Sequence, residues 1–108
     1  MSKVGLWVPL QAKPGKEQEL ENFVKSAQAL AEREPGTVSW YVVKMGAGNF
    51  GIFDTFADES GRNAHLNGEI AKALMAKAGE LLSEPPKIHK IDIIAAKGSA
   101  PEKRKAGV

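Results

Sequence analysis

"TVSWYVVKMGAGNFGIFDTFA", residues 37–57, holds two apolar, β-branched and aromatic runs on either side of a glycine-rich connection. Such residues fit a pleated, largely buried surface. The spacing predicts a β-hairpin, with strands over 37–45 and 50–57 joined by a tight connection at 46–49. Successive strand residues face opposite sides, so Trp40 and Tyr41 are expected on opposite faces. Both faces of the hairpin are apolar, so both require a cover.

On the N-terminal side, residues 3–12 read as a strand with Val4, Leu6, Val8 and Leu10 on one face and Trp7 on the other. Pro9 has no backbone donor, so the strand is expected to be open or bulged there. From Lys16 to Glu34, Leu20, Phe23, Val24, Ala27, Leu30 and Ala31 recur with helical spacing, predicting one amphipathic helix stopped by "EPG" at 34–36. On the C-terminal side, Asp58 is a suitable N-cap for a short helix over 59–66, and Asn67-Gly68 suits a left-handed end. A second helical stretch covers 69–82, and residues 87–97 read as a last strand. The order βαββαβ with right-handed crossovers predicts an α+β, ferredoxin-like sandwich: an antiparallel four-stranded sheet with its helices on one face. The second sheet face, which carries some of Trp7, Trp40, Tyr41, Phe50 and Phe53, is left for another cover. A second copy of the sheet is the simplest one, so a homodimer with its sheets face to face is expected.

Composition narrows the function classes. The chain of 108 residues has no cysteine, which removes disulfides, thiolate catalysis and Cys-based metal sites. Its net charge of +2 resides in the tail 98–108, where Lys103, Arg104 and Lys105 face one acid, Glu102. Residues 1–97 form the expected domain, balanced in charge, and the tail reads as disordered. This argues against a nucleic-acid module. With no signal-like or spanning segment at the start, a cytoplasmic location is expected.

"LQAKPGKEQELENF", "EREPGTVSWYVV", "FGIFDTFADESGRNAH" and "EIAKAL" follow one another in an order and spacing that resembles the antibiotic biosynthesis monooxygenase domain, of the dimeric α+β barrel superfamily. The resemblance covers roughly residues 3–97 and implies the same barrel-forming dimer. Members include cofactor-free oxygenases of polycyclic aromatics, quinol monooxygenases and haem-degrading enzymes. The haem branch is similar in having a first-strand asparagine, a tryptophan at the end of the short helix and an axial histidine in the next helix. Here those positions hold Val8, His65 and Met75, so haem degradation is not expected. The cofactor-free branch needs an apolar pocket, a proton acceptor and donors for a developing oxyanion.

The residue types for that chemistry are present. His65 titrates near neutrality and shares a helical face with Arg62 at i, i+3, so these two are the candidate catalytic residues. The alternative for His65 is an imidazolium at a helix end, and for Arg62 a solvated helix residue. Trp40, Tyr41, Phe50 and Phe53 are candidate pocket walls, and Asn49, Asn63 and Arg62 candidate donors; the alternatives are core or interface packing for Trp40 and Tyr41 and turn chemistry for Asn49. Asp54, a carboxylate in an apolar strand, is either a paired structural acid or a base of raised pKa. His89, between Lys87 and Lys90, reads as a solvated strand-edge residue. Two histidines 24 residues apart give no metal centre, and "GAGNFG" lacks dinucleotide spacing. The leading expectation is a cofactor-independent monooxygenase of a small hydroxylated aromatic or quinol, acting as a homodimer. The alternative is a non-catalytic, small-molecule-binding or stress-related barrel of the same fold.

Overall fold

The structure, a computed structural model, describes residues 3–97. The expectation of a disordered basic tail at 98–108 falls outside the described residues. The elements run β1 (Val4–Gln11), α1 (Glu17–Ser26), α2 (Gln28–Glu32), β2 (Thr37–Gly46), β3 (Asn49–Phe56), α3 (Glu59–Leu66), α4 (Glu69–Leu81) and β4 (His89–Asp92). The sheet is antiparallel throughout, in the order β2-β3-β1-β4. This is the α+β, ferredoxin-like fold that the strand and helix order predicts.

Register explains which side chains meet. Trp40, Asp54 and Leu6 lie side by side across three strands, as do Val42, Ile52 and Val8. With period-two alternation, that row and its neighbours Leu10, Phe50 and Phe56 face the helices. Leu20 and Val24 of α1 and Leu74 and Leu81 of α4 pack onto it to form the core. The opposite face carries Trp7, Tyr41, Val43, Met45 and Phe53. Tyr41 and Met45 are each 55% exposed there, and Tyr41 stacks on Phe53 with centroids 6.2 Å apart. Trp7 lies flat over Gly51, where a Cβ would come within 2.2 Å of the indole.

Three local expectations are corrected. The helix predicted over 16–34 is two helices, parted at Ala27. There the ladder tightens, with Ala27 N–H bonding to Val24 O, while the Ser26 hydroxyl donates to Phe23 O at 2.7 Å. A short polar side chain bonding back to the preceding turn competes with the regular ladder. Asn67 and Gly68 are not left-handed (φ −101° and −95°). The Asn67 side chain closes α3 by donating to Asn63 O at 2.9 Å, and Gly68 caps α4 in extended backbone. The last strand spans only His89–Asp92 rather than 87–97; it ends with Ile93 N–H donating to Lys3 O at 2.8 Å. Because β4 reaches only to Trp7, the outer edge of β1 at Pro9 has no strand partner, which accommodates its missing donor.

Candidate active site

The site begins with an acid in the wrong solvent. Asp54 occupies the helix-facing side of β3 between Ile52 and Phe56 and is 1% exposed. Burial pushes its carboxyl pKa up, and contact with His65 offsets this only in part. His65 reaches it from α3. Asp58 caps that helix by accepting from Gly61 N–H at 3.0 Å, which starts the helix where its inner face meets the sheet. His65 Nε2 lies 3.1 Å from Asp54 Oδ2, and the imidazole tilts against the Phe56 ring at 5.3 Å. Among the described residues neither Asp54 oxygen has a hydrogen-bond partner: the Nε2–Oδ2 contact is an ion pair whose alignment falls short of a hydrogen bond.

The other imidazole nitrogen meets a second acid. His65 Nδ1–H donates to Glu34 Oε1 at 2.6 Å, and the same oxygen accepts from the Thr37 hydroxyl at 2.6 Å. Glu34 lies just beyond α2, where Pro35 and Gly36 turn the chain into β2. That turn sits directly on α3: a Cβ on Gly61 would come within 2.8 Å of Gly36 O, so glycine is needed for the approach. Burial acts to lower the His65 pKa, but the bonds and charges of Asp54 and Glu34 outweigh it and hold the imidazole above its ordinary value.

Two spaces flank this row. Between the sheet and α3/α4 lies an apolar cavity of about 40 Å³ lined by Leu6, Val8, Ile52, Leu74, Met75 and Ile88, with Asp54 and His65 as its polar residues. Met75 and Ile88 are 58% and 42% exposed and form its rim. On the other side of His65, an open groove of about 300 Å³ runs between α3 and the turn at 33–37, past Leu30, Glu34 and Ala64.

The residues singled out in the sequence do not form one cluster. His65 lies at the junction of both spaces. Arg62 is buried rather than solvated: its Nη1 donates to Gly5 O and Ile91 O at 3.2 Å each, and Nη2 pairs with Glu59. Its guanidinium thus ties α3 to the β1–β4 edge. Trp40 faces the helices, half-buried, with its indole N–H unpartnered among the described residues, while Tyr41 and Phe53 lie on the opposite face. Asn49 is exposed at the hairpin, and Asn63 is exposed on α3. None of Trp40, Asn49, Tyr41, Phe53 and Asn63 lines the cavity beside Asp54. Glu34 and Thr37 were not singled out. In sequence, Glu34 is part of a helix stop, and nothing local shows that it pairs with a residue 31 positions away.

Solved structures resemble most of the chain. The NE2512 protein of unknown function from Nitrosomonas europaea is 56% identical, with a TM-score of 0.87, covering 90% of this chain and 94% of that one. PA3566 from Pseudomonas aeruginosa is 20% identical, with a TM-score of 0.76 over 88% of this chain and 97% of that one. A conserved protein from Methanosarcina mazei is 22% identical, with a TM-score of 0.73 over 83% and 91%. The last two show a shared fold alone. No protein of curated function matches. No described helix is long and apolar enough to cross a membrane. The family model described as antibiotic biosynthesis monooxygenase matches residues 6–77, from the first strand through most of α4. On that match the chain belongs to the antibiotic biosynthesis monooxygenase family.

Proposed function

We propose that the protein is a monooxygenase of a small hydroxylated aromatic or quinol, that the substrate itself supplies the electrons, and that the working unit is a homodimer. One observation carries the reading: a buried carboxylate with an unpartnered oxygen, set against His65, faces an apolar cavity. Burial makes Asp54 a stronger base than an ordinary aspartate. A substrate hydroxyl placed in the cavity hydrogen-bonds to the Asp54–His65 pair and gives up its proton to it. The resulting anion transfers electrons to dioxygen and forms a carbon–oxygen bond. The outer peroxide oxygen takes the proton back. The pair then removes the C–H proton of the oxygenated carbon. The O–O bond breaks to leave a carbonyl there, and the departing hydroxide takes that proton and leaves as water. A quinol plus dioxygen thus becomes a hydroxyquinone plus one water, with no net proton released. Asp54 is the group that takes the proton, and His65, the cation beside it, orients the substrate and serves as base only once its own Nδ1 proton has passed to Glu34. Arg62 acts at a distance, by fixing the helix that carries His65.

An aromatic ring needs roughly 150 Å³, so a cavity of about 40 Å³ admits one only when its rim opens. Met75 has three rotatable side-chain bonds and adapts readily, so it is the natural moving part. The small cavity also favours a second reading, a non-catalytic module that binds a small apolar molecule. Dimerisation is supported by the open sheet face, where Tyr41, Val43 and Met45 are exposed together.

The test is oxygen uptake by the purified protein over a panel of naphthohydroquinones and anthrones, repeated with His65→Ala and Asp54→Asn. Uptake by the wild type that both substitutions reduce by about 10²-fold or more supports the reading. Ligand binding without uptake above the protein-free rate would establish the second one.

A further inference from the structure

His65 is the one residue that lines both the cavity and the groove, and its two nitrogens meet a residue of each, Nε2 Asp54 and Nδ1 Glu34. We propose that Glu34 is the outer terminus of a proton path, Glu34–His65–Asp54, connecting the cavity to the open groove while substrate fills the cavity. The path rests on the reading of the cavity as a substrate site, and it assigns Glu34 as a positioning and proton-exchanging residue. Exposure rises outward along the row, from 1% for the Asp54 side chain to 8% for His65 and 18% for Glu34. The outer link, Nδ1 to Glu34, is a 2.6 Å hydrogen bond. The inner one, Nε2 to Asp54 Oδ2, is a 3.1 Å ion-pair contact that a small turn of the imidazole aligns for transfer without an intervening water.

The need for such a path follows from the cavity's shape. Once a ring lies between Leu6, Ile52 and Leu74, it blocks the rim at Met75 and Ile88. Asp54 then meets water only through His65. The substrate O–H bond breaks and its proton joins the Asp54–His65 pair. The Nδ1–H bond breaks in turn, and that proton moves onto Glu34 Oε1, beside the groove. Reversal returns a proton to the peroxide oxygen, so the count over one turnover is unchanged. Thr37 keeps Glu34 Oε1 aimed at the ring. The other charged groups lining the groove are Arg33 and Glu69; Arg62, three residues before His65 on α3, is held by Glu59 and two backbone carbonyls.

Exchange of the His65 Nδ1 proton with water, followed by nitrogen-15 NMR on substrate-free protein, tests the path without requiring turnover. Glu34→Gln, which preserves an acceptor but cannot carry a proton, should slow exchange about tenfold or more. Ala64→Trp, on the exposed side of α3 over the groove, should slow it as well; it tests the route even if Glu34→Gln folds poorly. Met75→Trp, over the rim, should leave it unchanged. Exchange slowed by Met75→Trp and not by Ala64→Trp overturns the proposal, as does exchange indifferent to Glu34→Gln. In turnover, Glu34→Gln should lower kcat more than it changes KM, with formate admitted through the groove restoring part of the loss in Glu34→Gly. Slowed exchange in the first assay with no oxygen uptake in any other would remove the catalytic reading and leave the path.

Discussion

Replacing His65 with leucine roughly preserves the volume against Phe56 but removes the cation between Asp54 and Glu34. Two carboxylates are left facing one another, one of them 1% exposed. Removing one partner of a buried ion pair costs about 3–5 kcal/mol. Glu34 is 18% exposed at its side chain, so water relieves part of its share. The expected loss at neutral pH is therefore about 3 kcal/mol. For a domain of this size that lowers Tm by roughly 15 °C. The pH dependence identifies the cause. His65 has a raised pKa when folded, so its contribution is complete below about 6.5 and is lost as pH rises through the folded value. Asp54 also has a raised folded pKa, so the cost of burying its charge is absent in acid and sets in as pH rises from about 3.8 toward the folded value. The difference between wild type and His65→Leu should be greatest near neutrality and smaller at both pH 4 and pH 9. Urea unfolding at fixed protein concentration, with unchanged m, measures it. A loss of equal size at all three pH values would mean that His65 contributes packing alone, and would refute the charge argument.

Arg62→Met should leave Gly5 O and Ile91 O without their side-chain donor, costing about 2 kcal/mol. Hydrogen exchange should show the β4 amides losing protection first, and uniform loss across the sheet would contradict this. Gly61→Ala should force α3 away from the Gly36 turn, costing about 2 kcal/mol; the His65 pKa, followed by NMR, should fall as Glu34 withdraws. An unchanged His65 titration would show that the glycine contact does not set that distance. Tyr41→Glu on the open sheet face should convert a dimer to a species of 11.6 kDa by light scattering. A wild type that already runs as a monomer would remove the dimer from the proposed function.

The fold was readable because periodicity and turn chemistry agreed along the chain: alternation in β1, β2 and β3, helical spacing in α4, and Asp58 as a cap. The errors arose where a local bond competes with a pattern. The break at Ala27 depends on how Ser26 bonds back, and the short β4 depends on its pairing with β1, which starts at Val4 opposite Asp92 and stops at Trp7, short of Pro9. The site was half readable. His65 stood out as one of two histidines, and Asp54 as an acid in an apolar run. Neither reading of Arg62, catalytic residue or solvated helix residue, anticipates its burial, because a helix's pattern does not show that carbonyls at a sheet edge lie beneath it. Glu34 could not be recognised at all, since its role exists only once Gly36 and Gly61 bring two distant turns together.

The shortness of β4 has a consequence for how this protein can diversify. Ser83 is pinned by its N–H to Gln11 O at 2.9 Å, and the chain is pinned again where His89 pairs with Trp7. Residues 84–88 between them, including rim residue Ile88, take part in no strand. A lineage can lengthen, shorten or recompose those five positions without rewriting a single rung of the sheet. The doorway to the cavity is thus free to vary while the row Asp54–His65–Glu34 behind it stays where it is.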